Sequence, residues 1–479
     1  MTAPRVEFRD WVAGEAIPPA ASETLRLQDP NTGAARAPMV TARPATIEAA
    51  LACAHDVHRR RVWSGLPKAR RAEILEEIAD AVAQRVDTLG RLGAETTGVV
   101  ITQTERFAGL TPILFKQAAA LTRGEAIETF SGPHSPVEVH RLPLGPALCI
   151  APWNAPTAIA AHKVAAALAA GCPTILKPSE YAPHTANVLA EAIAESALPP
   201  GVFQLLHGAG DVGAALTADP RIRAVSFTGG LAGGRAVAVS CAQQMKPAQL
   251  ELGGNNPLVV LADADLDLAA DGVVDALRLL NGQWCRALGR LLVHRSVQGP
   301  LLEAVAARLT ALKVGASVDR TSEMGPLIHR GHWQTVNAAV DGLKARGGTA
   351  HAWSELPADG FFCAPTLVTG CASVDTTDEI FGPVAAVHGF ETEDEMFDLV
   401  HQAPYGLAAY IFGDEERALS WARRFEIGST KVNGVSVTSL NPHAPRPAWR
   451  LSGLGVEGHT ETFEFFRGLG VVGVAGGRA

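Results

Sequence analysis

The sequence lacks most of the features that mark specialised protein classes. It has no CxxC pair, no closely spaced Cys/His cluster and an odd number of cysteines, seven in 479 residues, which argues against both a disulfide framework and a structural zinc site. No metal is therefore expected. No run of Lys or Arg stands out, and 41 basic against 49 acidic residues leave a net charge of −8, a balance that disfavours nucleic acid or an anionic membrane as partner. The most apolar stretch, Ala155 to Leu176, is interrupted by His162, Lys163 and Pro173, and the first residues, Met1-Thr2-Ala3-Pro4-Arg5-Val6-Glu7, lack an apolar signal core. A reducing cytoplasm is the expected location.

What is present is a globular composition, 47% hydrophobic and 19% charged, over a length that predicts two or three domains. Small-molecule chemistry is the favoured class. The chain alternates helices with short apolar runs. Ala69 to Gly90 reads as one helix, with Ile74, Ile78 and Val82 on one face and Glu76, Glu77 and Arg85 on the other. Continuously apolar Ala147–Ala151 reads as a buried strand, Thr174–Lys177, Val202–Leu206 and Ala224–Phe227 read as further strands, and helices are predicted through Ala170 and over Thr185–Ser196. Such repeats imply a parallel sheet covered on both faces, with ligands outside the carboxyl ends of its strands. The motifs at Asn154, Lys177, Gly210 and Gly229 fall at those ends.

Two residues suggest chemistry. Cys285 follows Asn281-Gly282-Gln283-Trp284, and Glu251 lies 34 positions earlier in Gln249-Leu250-Glu251-Leu252-Gly253-Gly254. A thiol and a carboxylate of this kind suit covalent work on a carbonyl, one attacking and the other activating water. Most cysteines are inert small hydrophobes, and Cys149, Cys172 and Cys241, set among alanines and aliphatics, are expected to be core. Cys285 has polar neighbours instead, which predicts an irregular start of a helix whose dipole would favour the thiolate. From these neighbours alone, nucleophile and structural thiol remain equally tenable.

Phe227-Thr228-Gly229-Gly230-Leu231-Ala232-Gly233-Gly234 follows a strand, so its glycines could bring backbone N–H groups to a pyrophosphate or could merely close a tight turn; it is not a GxGxxG fingerprint. Lys177-Pro178-Ser179-Glu180, at the preceding strand end, offers a carboxylate and an ammonium for ribose hydroxyls, as a dinucleotide site requires.

Taken in order, Ala151-Pro152-Trp153-Asn154-Ala155-Pro156, Lys177-Pro178-Ser179-Glu180, Phe227-Thr228-Gly229-Gly230, Leu250-Glu251-Leu252-Gly253-Gly254-Asn255-Asn256-Pro257, Gly282-Gln283-Trp284-Cys285 and Glu379-Ile380-Phe381-Gly382-Pro383 resemble the successive motifs of the aldehyde dehydrogenase superfamily. Weaker matches, from Asp29-Pro30-Asn31 to Ser452-Gly453-Leu454-Gly455, extend the resemblance over nearly the whole chain. It implies an α/β fold of two parallel-sheet, Rossmann-like domains with a small β oligomerisation extension. Expected boundaries are 1–126 with 143–252 for dinucleotide binding, 253–446 for catalysis, and 127–142 with 447–479 as oligomerisation or bridging segments. The segment Ile127–Leu142, with a Gly132-Pro133 turn, would join the C-terminal strand Gly468–Val472 in an exposed two-stranded arm. Such an arm cannot bury its own apolar face, so a homodimer or homotetramer is expected.

The resemblance also implies a mechanism. Cys285 would add to an aldehyde, with the Asn154 amide and the Cys285 N–H as oxyanion donors. Hydride would pass to the cofactor, and Glu251 would activate water to hydrolyse the thioester. Lys163 is carried over as a further catalytic position. The implied cofactor contacts are Ile150, Trp153, Lys177, Ser179, Glu180, Gly210, Gly213, Phe227, Thr228, Gly229, Gly230, Leu252, Glu379 and Phe381. Glu180 favours NAD over NADP, because a carboxylate there accepts from a 2′-hydroxyl and repels a 2′-phosphate; NADP stays open as an alternative.

Departures from the family pattern cluster at two places. Gly230 stands where serine is usual and Gly233 where a branched residue packs, which loosens the expected cofactor site; Asn255 replaces a lysine. In the implied substrate tunnel, formed by Ala155, Ala158, His162, Trp284, Arg286 and Arg446, small Ala155 and Ala158 would admit a bulky or aromatic aldehyde, while Arg286, His162 or Arg446 could pair with an anionic one. A CoA-acylating enzyme, which has no need of Glu251, and a catalytically silent scaffold are the rival functions.

Overall fold

The structure, a computed structural model, describes residues 7–124, 127–131, 136–436 and 440–474. The runs foreseen as strands are strands, Ala147–Ile150, Thr174–Lys177, Phe203–Leu205 and Ala224–Thr228, and together with Ala248–Glu251, which was not foreseen, they pair in parallel, the first lying centrally with Thr174–Lys177 on one side and Ala224–Thr228 on the other. The chain thus reverses its direction of sheet building between Ala147–Ile150 and Ala224–Thr228, the crevice where open α/β sheets bind ligands. Antiparallel strands finish both edges, Asp10–Val12 and then Glu15–Ile17 at one and Gly453–Leu454 at the other.

The second sheet carries six parallel strands in the spatial order Thr366–Thr369, Val384–Phe390, Leu288–His294, Asn256–Val260, Ala408–Phe412 and Ser429–Val432, with Thr349–Ala352 antiparallel at one edge. Helix Leu266–Arg278 starts where Asp265 accepts from the N–H groups of Asp267 and Leu268, satisfying two of the donors a helix leaves free. Only four residues separate the two sheets, from Leu252 to Asn255. The carboxyl ends of the first sheet therefore face the amino ends of the second. The motifs at Asn154, Lys177, Gly210 and Gly229 lie at or beyond the carboxyl ends of the first sheet's strands, and the second sheet presents its amino ends.

Three expectations need correction. The helix foreseen over Ala69–Gly90 is two, Lys68–Ala83 and Val86–Thr97, because Arg85 leaves helical geometry and its guanidinium caps the first by donating to the Ala81 carbonyl at 2.9 Å. The extension is three-stranded, Glu128–Phe130, Val137–Pro143 and Arg467–Gly473, with seven consecutive pairs from Arg467 with Pro143 to Gly473 with Val137; the Gly132-Pro133 turn lies outside the described residues. Within 447–479, Gly453–Leu454 belongs to the first sheet and helix His459–Phe465 packs on helix Pro156–Ala169. Third, no helix starts at Cys285. It lies in a loop between Leu266–Arg278 and strand Leu288–His294. Among the described residues no helix is long and apolar enough to cross a membrane.

Candidate active site

Cys285 is partly exposed, and its loop is bent by Leu280, Asn281 and Gly282 at φ values of 49°, 57° and 73°. Left-handed backbone on Leu and Asn is unfavourable and persists only where surroundings enforce it. Buried amides do so here. Asn281 donates to the carbonyls of Gly98 and Pro326, each at 2.9 Å, and accepts from Gly325. Gln283 accepts from the N–H of Ile328 at 3.0 Å. Asn256 donates to the carbonyls of Cys285 and Ala287 at 2.9 and 2.8 Å and accepts from Ala408. Gly282 is required for space as well as φ, since a Cβ there would sit 2.2 Å from the Pro383 nitrogen.

Asn154, just before helix Pro156–Ala169, donates to the Gln283 carbonyl at 2.8 Å. An amide nitrogen carries two N–H bonds, so the side chain is fixed beside the thiol loop with one donor to spare. Burial pushes the Cys285 thiol up to about 12; Arg286 pulls it down while Glu251, Glu379 and Glu457 add to the rise. The helix dipole expected to favour the thiolate is absent because the helix is.

Glu251, at the carboxyl end of its strand, is buried, and its Oε1 has no partner. Burial, then the nearby Glu457, raises its carboxyl to about 8, against the pull of Arg286, Arg446 and Lys163. Burial alone would raise Glu457 too, but Lys163, His162 and Arg446 hold it well below the ordinary carboxylate range. Lys163 reaches Glu457 Oε1 at 2.7 Å and Ser226 Oγ at 2.8 Å and is fully buried. It therefore acts on the site through Glu457 rather than by touching the thiol.

The tunnel positions divide. Ala155 packs with Cys285, Trp284, Leu280 and Phe107, and Ala158 lines a shallow crevice with Asn154, Phe107 and Gly93. Trp284 is buried in that same cluster. His162 is buried in the wall, 3.1 Å from Thr462 Oγ1 and 3.4 Å from Arg446, and burial, then Arg446, lowers it to about 3. Arg286 donates to Ser429 Oγ at 2.5 Å.

On the first sheet's carboxyl edge, Lys177 is buried with Nζ on the Pro178 carbonyl at 2.8 Å and 4.0 Å from Glu180, and burial lowers its pKa. Ser179 Oγ is 3.4 Å from Glu180. Gly213, on the helix begun by Gly210, faces Lys177 and Ile150. Thr228 has a buried hydroxyl without a partner, and Gly230, the N-cap of helix Leu231–Ala242, supplies no side-chain cap and borders open space. An orphan hydroxyl and a helix N-terminus left uncapped suit a pyrophosphate; the residues fit a dinucleotide. Phe227 packs its ring against Gly229 and Gly233, and Leu252 is tied to Ser452.

Glu379 Oε1 accepts from the Gly254 N–H at 2.8 Å and is pushed up to about 7 by burial, with that N–H opposing. A side chain on Gly253 would strike it, since a Cβ would lie 1.8 Å from Oε2. Phe381, at φ 55°, stands edge-on to Trp153 with centroids 5.3 Å apart. His332 packs on both rings and sits 2.9 Å from the Phe381 carbonyl. Sequence reading missed His332, Asn256, Asn281 and Gln283 as positioning residues. His329 and His332, three apart at a helix start, were a usable signal for the first; the amides lay inside or beside quoted motifs without a role.

The profile of the aldehyde dehydrogenase family matches residues 17–471. The chain belongs to the aldehyde dehydrogenase family. Among solved structures it is similar to a betaine aldehyde dehydrogenase from Staphylococcus aureus determined in complex with NAD+, at 29% identity and a TM-score of 0.93, covering 97% of this chain and 94% of that one. It is similar to an NAD-dependent aldehyde dehydrogenase from Sinorhizobium meliloti, also at 29% identity and 0.93, covering 98% and 95%. The whole fold of the family, both sheets and the small extension, is thus present.

Proposed function

We propose that the chain oxidises an aldehyde to its carboxylic acid with NAD, through a covalent Cys285 intermediate. The observation that supports this best is the buried Glu251 carboxyl with an unpartnered oxygen, within electrostatic reach of the thiol. A thiol held near 12 needs a base, and Glu251 takes its proton. The sulfur then bonds to the aldehyde carbon, and the carbonyl electrons move to oxygen, where the spare Asn154 N–H and the Cys285 N–H receive the charge. When bound, NAD supplies a hydride acceptor. Loss of hydride from the carbon and return of the oxyanion electrons leave a thioester. Once Glu251 has passed the thiol's proton to solvent, it takes the proton of the water that opens this thioester; the carbon–sulfur bond breaks, the acid leaves and the thiolate returns.

Lys177 and Glu180 would hold the adenosine ribose, Thr228, Gly229 and Gly230 the pyrophosphate, and Glu379 and Phe381 the nicotinamide riboside. Ala155 and Ala158 widen the approach to Cys285, favouring a bulky or aromatic aldehyde. Exposed Leu469, Val471 and Val472 on the three-stranded extension make it a surface for a homodimer or homotetramer. Seven free cysteines suit a reducing cytoplasm. The domain limits we assign follow the sheets, with the change at Leu252–Asn255.

The test is NADH formation with an aldehyde panel, in the native chain and in Cys285→Ala. The native chain is expected to be active and the variant silent. Turnover that survives in Cys285→Ala would refute the covalent mechanism.

A further inference from the structure

Two guanidiniums of the site, those of Arg286 and Arg446, are incompletely matched by carboxylates. Arg286, next to the nucleophile, is partly buried and rigidly held: Tyr410 donates to its carbonyl at 2.7 Å, and its guanidinium donates to the neutral hydroxyl of Ser429. Among the described residues it has no carboxylate partner. Lys431, two residues on from Ser429, is 7% exposed and, among the described residues, donates to the carbonyls of Val435 and Ser436. Burial, then Arg286, lowers it to about 8, so it stays mostly protonated at neutral pH. Arg446 lies 3.8 Å from Glu457, a carboxylate that already holds Lys163 at 2.7 Å. Its side chain is 40% exposed and free to bind further. Glu251 offers little compensation, because its own carboxyl resists ionisation.

Unpaired cations out of water are costly, and a guanidinium's planar fork matches a carboxylate. We propose that the aldehyde carries a carboxylate, held by Arg286 and Arg446 beside the nucleophile. This rests on the reading that Cys285 oxidises aldehydes, and it names the substrate class that this reading leaves open.

The experiment compares acid and neutral members of two pairs in the full-length chain with NAD: 4-carboxybenzaldehyde against its methyl ester, and 5-oxopentanoate against pentanal. A charge-assisted hydrogen bond contributes about 1.5–3 kcal/mol, so kcat/KM for the acid is expected to exceed that for its neutral partner by roughly tenfold to a hundredfold in at least one pair. In Arg286→Gln and Arg446→Gln that ratio should collapse, mainly through KM of the acid, and Arg286→Lys should restore part of it. Equal kcat/KM for acid and neutral partner in both pairs would overturn the proposal. So would Arg286→Gln and Arg446→Gln variants that keep the native ratio. Activity with the neutral aldehydes alone leaves the oxidation itself standing and sinks only the carboxylate; no activity with any member removes both.

Discussion

Replacing Glu251 by glutamine is the most informative perturbation, because it keeps the side chain's shape and removes only its ionisation. At 1.36 kcal/mol per pH unit, holding a carboxyl at about 8 rather than 4.5 makes its ionisation up to about 5 kcal/mol more costly in the folded chain than in the unfolded one. The sign follows from proton binding. Between those two values the folded chain keeps a proton that the unfolded chain has lost, so native stability falls as pH rises from about 4.5 to 8 and the full cost is felt above. Glu251→Gln escapes that cost. Its thermal midpoint relative to native is expected to rise from about pH 5 to about pH 8 and to level off above. Catalysis should move the other way. Without a base for water, turnover falls by about 10²- to 10⁴-fold, and the native increase of kcat with pH through about 8 disappears. Steady-state turnover within tenfold of native, or a midpoint difference that does not change with pH, would refute the reasoning.

Asn154→Ala removes one oxyanion donor and frees the Gln283 carbonyl; kcat is expected to fall by about 10²- to 10³-fold with KM little changed, as steady-state kinetics would show. Lys163→Met leaves Glu457 buried beside only one cation at 3.8 Å, and breaking a buried pair costs about 3–5 kcal/mol, to be read as a loss of thermal stability larger at pH 8 than at pH 4. Glu180→Ala takes away the carboxylate that disfavours a 2′-phosphate, so the ratio of kcat/KM for NAD over NADP should fall; an unchanged ratio would remove Glu180 from cofactor choice.

Four strands of the first sheet were legible because each is a short, mainly apolar run that leads into a turn and then a helix, and Thr174–Lys177 falls where the sequence places it. The six ordered motifs exposed the family and its fold, and brought Asn154, Glu251 and Cys285 forward as candidates. Other features were hidden for physical reasons. The break at Arg85 depends on a guanidinium turning back onto a carbonyl, which no periodicity reports. The polar neighbours of Cys285 suggested a helix start, yet Asn281 holds the Pro326 carbonyl and Gln283 the Ile328 N–H, each 45 residues distant in sequence. Likewise, Lys163 reads as a site residue, but only the packed structure shows Glu457, 294 positions away, as its counter-ion.

The meeting of carboxyl ends with amino ends at Leu252–Asn255 has an evolutionary consequence. In the function proposed above, most cofactor contacts hang from the loops of the first sheet, with Glu379 and Phe381 added by the second, while the aldehyde would approach past Ala155 and Ala158 at the start of helix Pro156–Ala169. Glu251, Cys285, Asn154 and the amides that hold them belong to the seam between. A lineage can therefore redraw what it oxidises and which nucleotide it prefers by separate sets of substitutions, leaving the reacting atoms undisturbed.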